Sequence, residues 1–308
     1  MRILILGGSG FVGRNILDYL KKFKKLDLVS HTRDKADLES SRQFSKFLKN
    51  TSPDLIINAA GHVGGILRHI NNNYNFLYKN SKIYLNIMNT ILEEDFKYLI
   101  NLSSSCAYPI NSKLPFIEDD FKLGKLEYTN EGYALSKHII HKLIEYANTE
   151  KKRKFKTIVP CNLFGEHDSF QEEKSHLIAS IIKKTHNYKI GKIDKITIYG
   201  SGKPKRQFAY IKDLSRFIKY FINNYEKMPS TINFASSFNL SVEDYYKKIT
   251  KILLKEKVKF LFDRNYPDGV SLKNISITKL KRTGFNDFTH FDTAIKNTYK
   301  YYSKLKNK

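Results

Sequence analysis

Up to about residue 160 the chain alternates short, continuously apolar runs with longer segments of helical spacing. The runs "RILIL" (2–6), "LDLVSHT" (26–32), "DLIINAA" (54–60), "KYLINLS" (97–103) and "KTIVPCN" (156–162) are β-rich. Little polar alternation interrupts them, as in strands buried on both faces. Between them, Phe11–Lys22, Ser40–Asn50, Asn75–Glu94 and Gly132–Thr149 have the length and spacing of helices. The alternation predicts a Rossmann-type α/β fold, a doubly wound parallel sheet with helices on both faces. After Asn162 the pattern weakens, leaving one clear helix at Asp213–Asn224 and a short strand "TINFA" (231–235). The expected division is a Rossmann domain over 1–165 plus 208–236, with a smaller C-terminal domain over 166–207 plus 237–308.

Ligands of such sheets bind beyond the carboxyl ends of the strands, so the residues just past each run matter most. The first run ends in "GGSGFVG", where Gly7, Gly10 and Gly13 form a GxxGxxG turn opening into Phe11, Val12 and the first helix. Such a turn lets the backbone approach a pyrophosphate, which the free N–H groups of the helix start then bind. About 20 residues on, an NAD site would offer an acidic residue to the ribose. This chain has Ser30, His31, Thr32 and Arg33, and a guanidinium there suits a 2′-phosphate. The expected cofactor is therefore NADPH/NADP, although Asp34 adjoins Arg33.

Composition narrows the class. The net charge of +24 invites a nucleic-acid reading, yet lysines are spread along the whole chain. The densest cluster, "KKRKFK" (151–156), falls where a helix meets a strand. The reading is of no nucleic-acid partner, with a positive field that attracts anionic small molecules. No run approaches the length of a membrane span, so no membrane partner is expected. Cys106 and Cys161 are the only cysteines, which excludes a disulfide framework and suits a cytoplasmic protein. No metal site is expected.

"YALSK" places Tyr133 and Lys137 one turn apart on one helix face. A lysine there is expected to lower the phenol's pKa and make it a usable acid near neutrality. Serines at the end of the fourth run, in "LSSSCAYP" (102–109), can bind the carbonyl oxygen that such a tyrosine protonates. Cys106 in that stretch has three readings: buried filler, redox thiol, or acid/base group.

GxxGxxG, "NAAG" (58–61), the strand-end serine and YxxxK together resemble the extended short-chain dehydrogenase/reductase superfamily. The stretches "HVGGI" (62–66), "SSCAYP" (104–109), "CNLFGEHDSF" (161–170), "SHLIASIIKK" (175–184), "YGSGKPKRQFAYIKDL" (199–214) and "PDG" (267–269) resemble the GDP-L-fucose synthase family within it. The resemblance covers nearly the whole chain. It implies an NADPH-dependent C4 reductase of a GDP-linked 4-keto sugar, of 6-deoxyhexose or heptose type. Coupled C3/C5 epimerisation would accompany it, in synthesis of an activated sugar for surface polysaccharide.

The resemblance also implies roles. Ser104 would position the keto oxygen, Tyr133 protonate it and Lys137 bind the nicotinamide ribose, with Cys106 and His176 as the epimerase acid/base pair. For His176, orienting the ligands is an open alternative. Ala60, Leu102, Ser103, Pro160, Asn162, Leu163 and His176 would face the cofactor. Ser105, Asn162, Lys184, Tyr199, Arg206 and Asp268 would face the nucleotide sugar, and Cys161 is read as core. A homodimer is expected through the helices carrying Ile83, Ile87, Ile91 and Ile140, Leu143, Ala147. Departures from the family pattern are Phe11 in the glycine loop, His62 for a lysine and Leu272 for an arginine, with Lys273 kept. The rival readings are a reductase or epimerase of another nucleotide sugar and a non-catalytic dinucleotide sensor.

Overall fold

The computed structural model describes residues 1–171, 175–254, 256–266 and 268–306, without the side chains of Ile66 and Leu67. The elements, in chain order, are β1 (Arg2–Leu6), α1 (Phe11–Leu20), β2 (Asp27–Ser30), α2 (Ser41–Thr51), β3 (Leu55–Asn58), α3 (Ile66–Ile70), α4 (Asn73–Glu93) and β4 (Tyr98–Leu102). Then come α5 (Glu131–Glu150), β5 (Lys154–Pro160), β6 (Asn162–Phe164), α6 (Leu177–Lys189), β7 (Ile196–Tyr199), β8 (Lys205–Tyr210) and α7 (Ile211–Asn223). The last are β9 (Thr231–Phe234), β10 (Asn239–Ser241), α8 (Val242–Leu253), β11 (Phe260–Asp263), β12 (Leu272–Lys273), α9 (Thr278–Arg282) and α10 (Phe291–Lys306).

Six strands form one sheet in the order β2-β1-β3-β4-β5-β9, every pairing parallel. Strand periodicity decides what each face buries. Ile3 and Ile5 join the core that includes α1 and α7, while Leu4 and Leu6 join the one that includes α2, α4 and α5. A sheet with both faces covered needs no polar face, which is why its strands read as unbroken apolar runs. The order reverses about β1, so the crevice between β1 and β3 is the switch point where such sheets bind ligands.

The fold class expected from the pattern is the one observed, with the ends of the expected elements shifted by a few residues, but past Asn162 the helices α6, α8, α9 and α10 join the one the pattern marked. The later half adds a second sheet, β10-β8-β12 with β6 beside β8, and the pair β11-β7. These strands have two to six residues, too short to give a periodicity of their own.

Candidate active site

The glycine loop, the Arg33 loop and the serine–cysteine turn leave the large sheet at the carboxyl ends of β1, β2 and β4. Past β1, Gly7 has φ +74, and a Cβ there would lie 2.8 Å from the Ala59 carbonyl oxygen and the Ala60 Cα. The loop is therefore pressed against the chain leaving β3, in the switch-point crevice. A Cβ on Gly13 would come within 2.2 Å of the Gly7 carbonyl oxygen, so α1 can begin this close only without a side chain. Gly10 caps α1 with no side-chain bond, and the first turn holds no acid. The N–H groups of Phe11, Val12 and Gly13 thus have no intrahelical acceptor, which fits a diphosphate. Arg33 lies beyond β2 with its side chain 73% exposed, 3.5 Å from Asp37 and 3.9 Å from Glu39.

Past β4 the chain folds into a short 3-10 turn over Ser105–Ala107. Within 101–109 only Ser104 and Cys106 are partly open; Ser103, Ser105 and Ala107 are buried between them. The Ser104 hydroxyl holds the turn: the Cys106 N–H donates to Ser104 Oγ at 3.2 Å. Ser104 and Cys106 both act electrostatically on the Tyr133 phenol, so the three groups are gathered at one point. Lys137 Nζ donates to the Leu102 carbonyl at 3.0 Å and lies 5.6 Å from the Tyr133 ring centroid.

The protonation balance differs from the sequence expectation. Burial pushes Tyr133 above its ordinary range, the Cys106 sulphur adds to this, and the Ser104 hydroxyl partly offsets it. Burial also brings Lys137 down to about 7. The lysine does not depress the tyrosine as expected, because both are desolvated and the ammonium is turned toward a backbone carbonyl.

His176 precedes α6 and sets its Nδ1 3.2 Å from Asp168 Oδ1. Burial works against its charge, but the Asp168 carboxylate outweighs burial and holds the imidazole above its ordinary value. His69 is a histidine the sequence reading missed. It is buried, stacks on Phe76 at 3.9 Å and meets the Tyr133 ring edge-on at 5.4 Å. Burial holds it down at about 4, with His176 among its electrostatic neighbours. No residue pattern marks His69, which reaches the site because α3 packs against α4 and the turn at Tyr128–Asn130 just before α5. Asp168 also went unread, although it is the acid in "GEHDSF" eight residues before His176.

The other predicted residues fall into two groups. Ala60, Leu102, Ser103 and Pro160 are buried at or just past their strand ends, with Asn162 and Leu163 half-buried beyond β5. Asn162 Nδ2 donates to the Gln207 carbonyl at 2.9 Å, and Cys161 is buried in the core as expected. Ser105 is buried beneath the turn rather than open beside Ser104. Farther out, Arg206 donates to the Val270 carbonyl at 2.6 Å, and Glu127, Cys106 and Asp268 surround it electrostatically. Glu127 is another residue that went unread; its Oε2 accepts from Lys273 Nζ at 3.0 Å in a buried pair. Lys184 Nζ lies 3.8 Å over the Tyr199 ring, and Asp268 Oδ1 accepts from the Ser201 N–H at 2.6 Å. Pro267 of the "PDG" stretch lies outside the described residues.

The apolar stripes expected to pair two subunits are otherwise engaged. Ile83, Ile87, Ile91, Ile140 and Ala147 are buried in the core against the large sheet, with Leu143 packed at its edge. The open residues of α4 and α5 are different ones, notably Tyr78, Leu85 and Tyr146. Among the described residues, no helix is long and apolar enough to cross a membrane.

Comparison with known proteins gives consistent results. Residues 3–235 match the model of the NAD dependent epimerase/dehydratase family. The chain is 38% identical to a GDP-L-colitose synthase of Yersinia pseudotuberculosis, over 100% of this chain and 99% of that one. It is 33% identical to a GDP-L-fucose synthase of Azorhizobium caulinodans, over 98% and 96%. Its fold matches a GDP-L-fucose synthetase of Naegleria fowleri bound to NADP, with TM-score 0.88 and 24% identity over 99% and 93%.

Proposed function

The chain belongs to the NAD dependent epimerase/dehydratase family, and from that membership we propose that it is an NADPH-dependent C4 reductase of a GDP-linked 4-keto sugar. The observation that carries the reading is the convergence of Ser104, Tyr133 and Cys106 at the carboxyl end of β4, with Lys137 one turn beyond Tyr133. The crowded glycine loop fits the cofactor: its side-chain-free cradle and the open helix start would hold the diphosphate, Arg33 the 2′-phosphate, and Lys137 the ribose. When bound, NADPH supplies the hydride for C4.

The chain's own residues do the rest. Ser104 Oγ and the Tyr133 phenol hydrogen-bond the ketone oxygen, and Tyr133 gives its proton to the alkoxide as C4 is reduced. Burial supports this role by keeping the phenol protonated well above neutrality. Epimerisation uses the same oxygen. Polarising the C4 ketone acidifies the neighbouring C3 and C5 protons, and the enolate oxygen rests on Ser104 and Tyr133. Cys106, as thiolate, takes a proton from carbon, and the His176 imidazolium returns one from the opposite face. The Asp168 carboxylate supports the acid role of His176 by favouring its charged form. Arg206 would hold the diphosphate side of the nucleotide, with Lys184 supporting the Tyr199 ring on the base side.

The reading includes a two-part chain: cofactor on 1–165 plus 208–236, nucleotide sugar on 166–207 plus 237–308. It also includes a cytoplasmic homodimer whose product is an activated sugar for surface polysaccharide. The test is incubation with NADPH and GDP-4-keto sugars, hexose and heptose, in D₂O. NADPH oxidation with a C4-reduced product is expected, and deuterium at C3 or C5 reports epimerisation separately. Cys106→Ser is expected to abolish that exchange while leaving reduction in place. Exchange that persists in the variant would remove the thiol from the proton transfer.

A further inference from the structure

We propose that Tyr266 is the platform on which the purine base of the substrate stacks, and that it sets the preference for GDP over pyrimidine diphosphates. The inference rests on the GDP-sugar reading above and deepens it.

The argument begins at the paired ends of β7 and β11, which run parallel with Tyr199 opposite Asp263. Past them, the chain turns at Gly200, whose N–H bonds the Asp263 carbonyl at 2.8 Å. This turn brings the Tyr199 and Tyr266 rings together, centroids 4.3 Å apart and planes 31° from parallel. Lys184 Nζ sits 3.8 Å from the same Tyr199 centroid and donates to the Thr197 carbonyl at 2.6 Å. An ammonium and a ring that close to one centroid leave no room on a single face. The order is therefore Lys184, Tyr199, Tyr266, with both faces of Tyr199 taken by its neighbours. Among the described residues Tyr266, partly exposed, ends the stack, and its outer face is the one offered to a base.

Its place along the cleft fits. Two residues on, the Asp268 carboxylate is fixed by the Ser201 N–H, a bond that helps hold it below the usual carboxylate range. The Asp268 and Val270 carbonyls receive the Arg206 guanidinium, and Arg206 in turn neighbours Cys106 electrostatically. The loop thus presents a ring and a carboxylate and anchors the Arg206 guanidinium of β8, which lies toward Cys106. A base on Tyr266, a diphosphate at Arg206 and a sugar beside Tyr133 follow that succession. Stacking on an aromatic face contributes most for the larger bases, so removing the ring weakens purine binding selectively.

The experiment is titration of the purified protein with GDP, UDP and NADPH by calorimetry. Tyr266→Ala and Tyr266→Gln should each weaken GDP about tenfold and narrow the GDP/UDP ratio. Tyr266→Phe should keep both, and NADPH affinity should hold in all three, which also reports folding. GDP affinity within twofold of wild type in both Ala and Gln variants would overturn the inference. Wild type that binds NADPH but not GDP would instead overturn the GDP-sugar reading.

Discussion

At the scale of single residues, the account turns on Lys137 and Tyr133 titrating in opposite directions. Burial lowers the lysine to about 7, so its charge is present below that pH and lost as pH rises through it. Tyr133 is raised and stays protonated over the same interval. The expected profile of kcat/KM for NADPH therefore falls above about pH 7, through loss of the ammonium and not of the phenol proton. A profile flat from about pH 6 to 9 would contradict this. Arg33 makes a second prediction. Its exposed guanidinium pairs, among the described residues, with carboxylates at 3.5 and 3.9 Å, so Arg33→Ala should weaken NADPH far more than NADH in fluorescence titrations. Equal losses would remove the 2′-phosphate role. These residues were legible because the chemistry fixes their spacing along one strand or helix. His69 and Glu127 were not, because their places depend on α3 packing against the turn before α5 and on Lys273 arriving from a distant strand.

At the scale of elements, the pattern of apolar runs was enough for the large sheet. Strands covered on both faces and long amphipathic helices each carry a signal that local sequence contains. The second sheet was not legible: its strands are short, and their partners come from segments far apart in the chain. The same limit misled the expectation about α4 and α5. Their isoleucine stripes looked free in the sequence, yet they are the faces that cover the sheet. If two copies pair through these helices, the contact is carried by Leu85, Tyr78 and Tyr146, each at least half exposed. Leu85→Asp should then shift the mass measured by light scattering from dimer toward monomer. A wild-type mass that is monomeric at every concentration would end the dimer proposal.

At the scale of the whole molecule, the later strands are tied back to the catalytic half by the buried Glu127–Lys273 pair, with side chains 9% and 7% exposed. Burial works to raise Glu127, but the Lys273 ammonium outweighs it and leaves the carboxyl below its ordinary value. A depressed carboxylate contributes its stability above the unfolded value of about 4.3 and loses it as pH falls through the folded one. Lys273→Met removes the ion-pair partner and leaves Arg206 and Thr129 to offset burial of the carboxylate, which should cost up to about 3–5 kcal/mol at neutral pH in urea unfolding. Burial without the lysine raises Glu127 in the variant, so the deficit should shrink as pH falls through that raised value toward the depressed wild-type one. A deficit independent of pH would mean that the lysine acts only through packing.

The central claim is that the Ser104–Tyr133 pair protonates a C4 ketone of a GDP-linked sugar while NADPH is consumed. The most direct measurement is NADPH oxidation at 340 nm, wild type beside Tyr133→Phe, with GDP-linked and UDP-linked 4-keto sugars as substrates (roughly the reduced nicotinamide absorption band used to follow hydride chemistry). The account predicts turnover with the GDP-linked ketone, little with the UDP-linked one, and a loss of about 10²–10⁴ in the variant. Wild type that binds NADPH yet oxidises it with no GDP-4-keto sugar, or a Tyr133→Phe variant as fast as wild type, would contradict it.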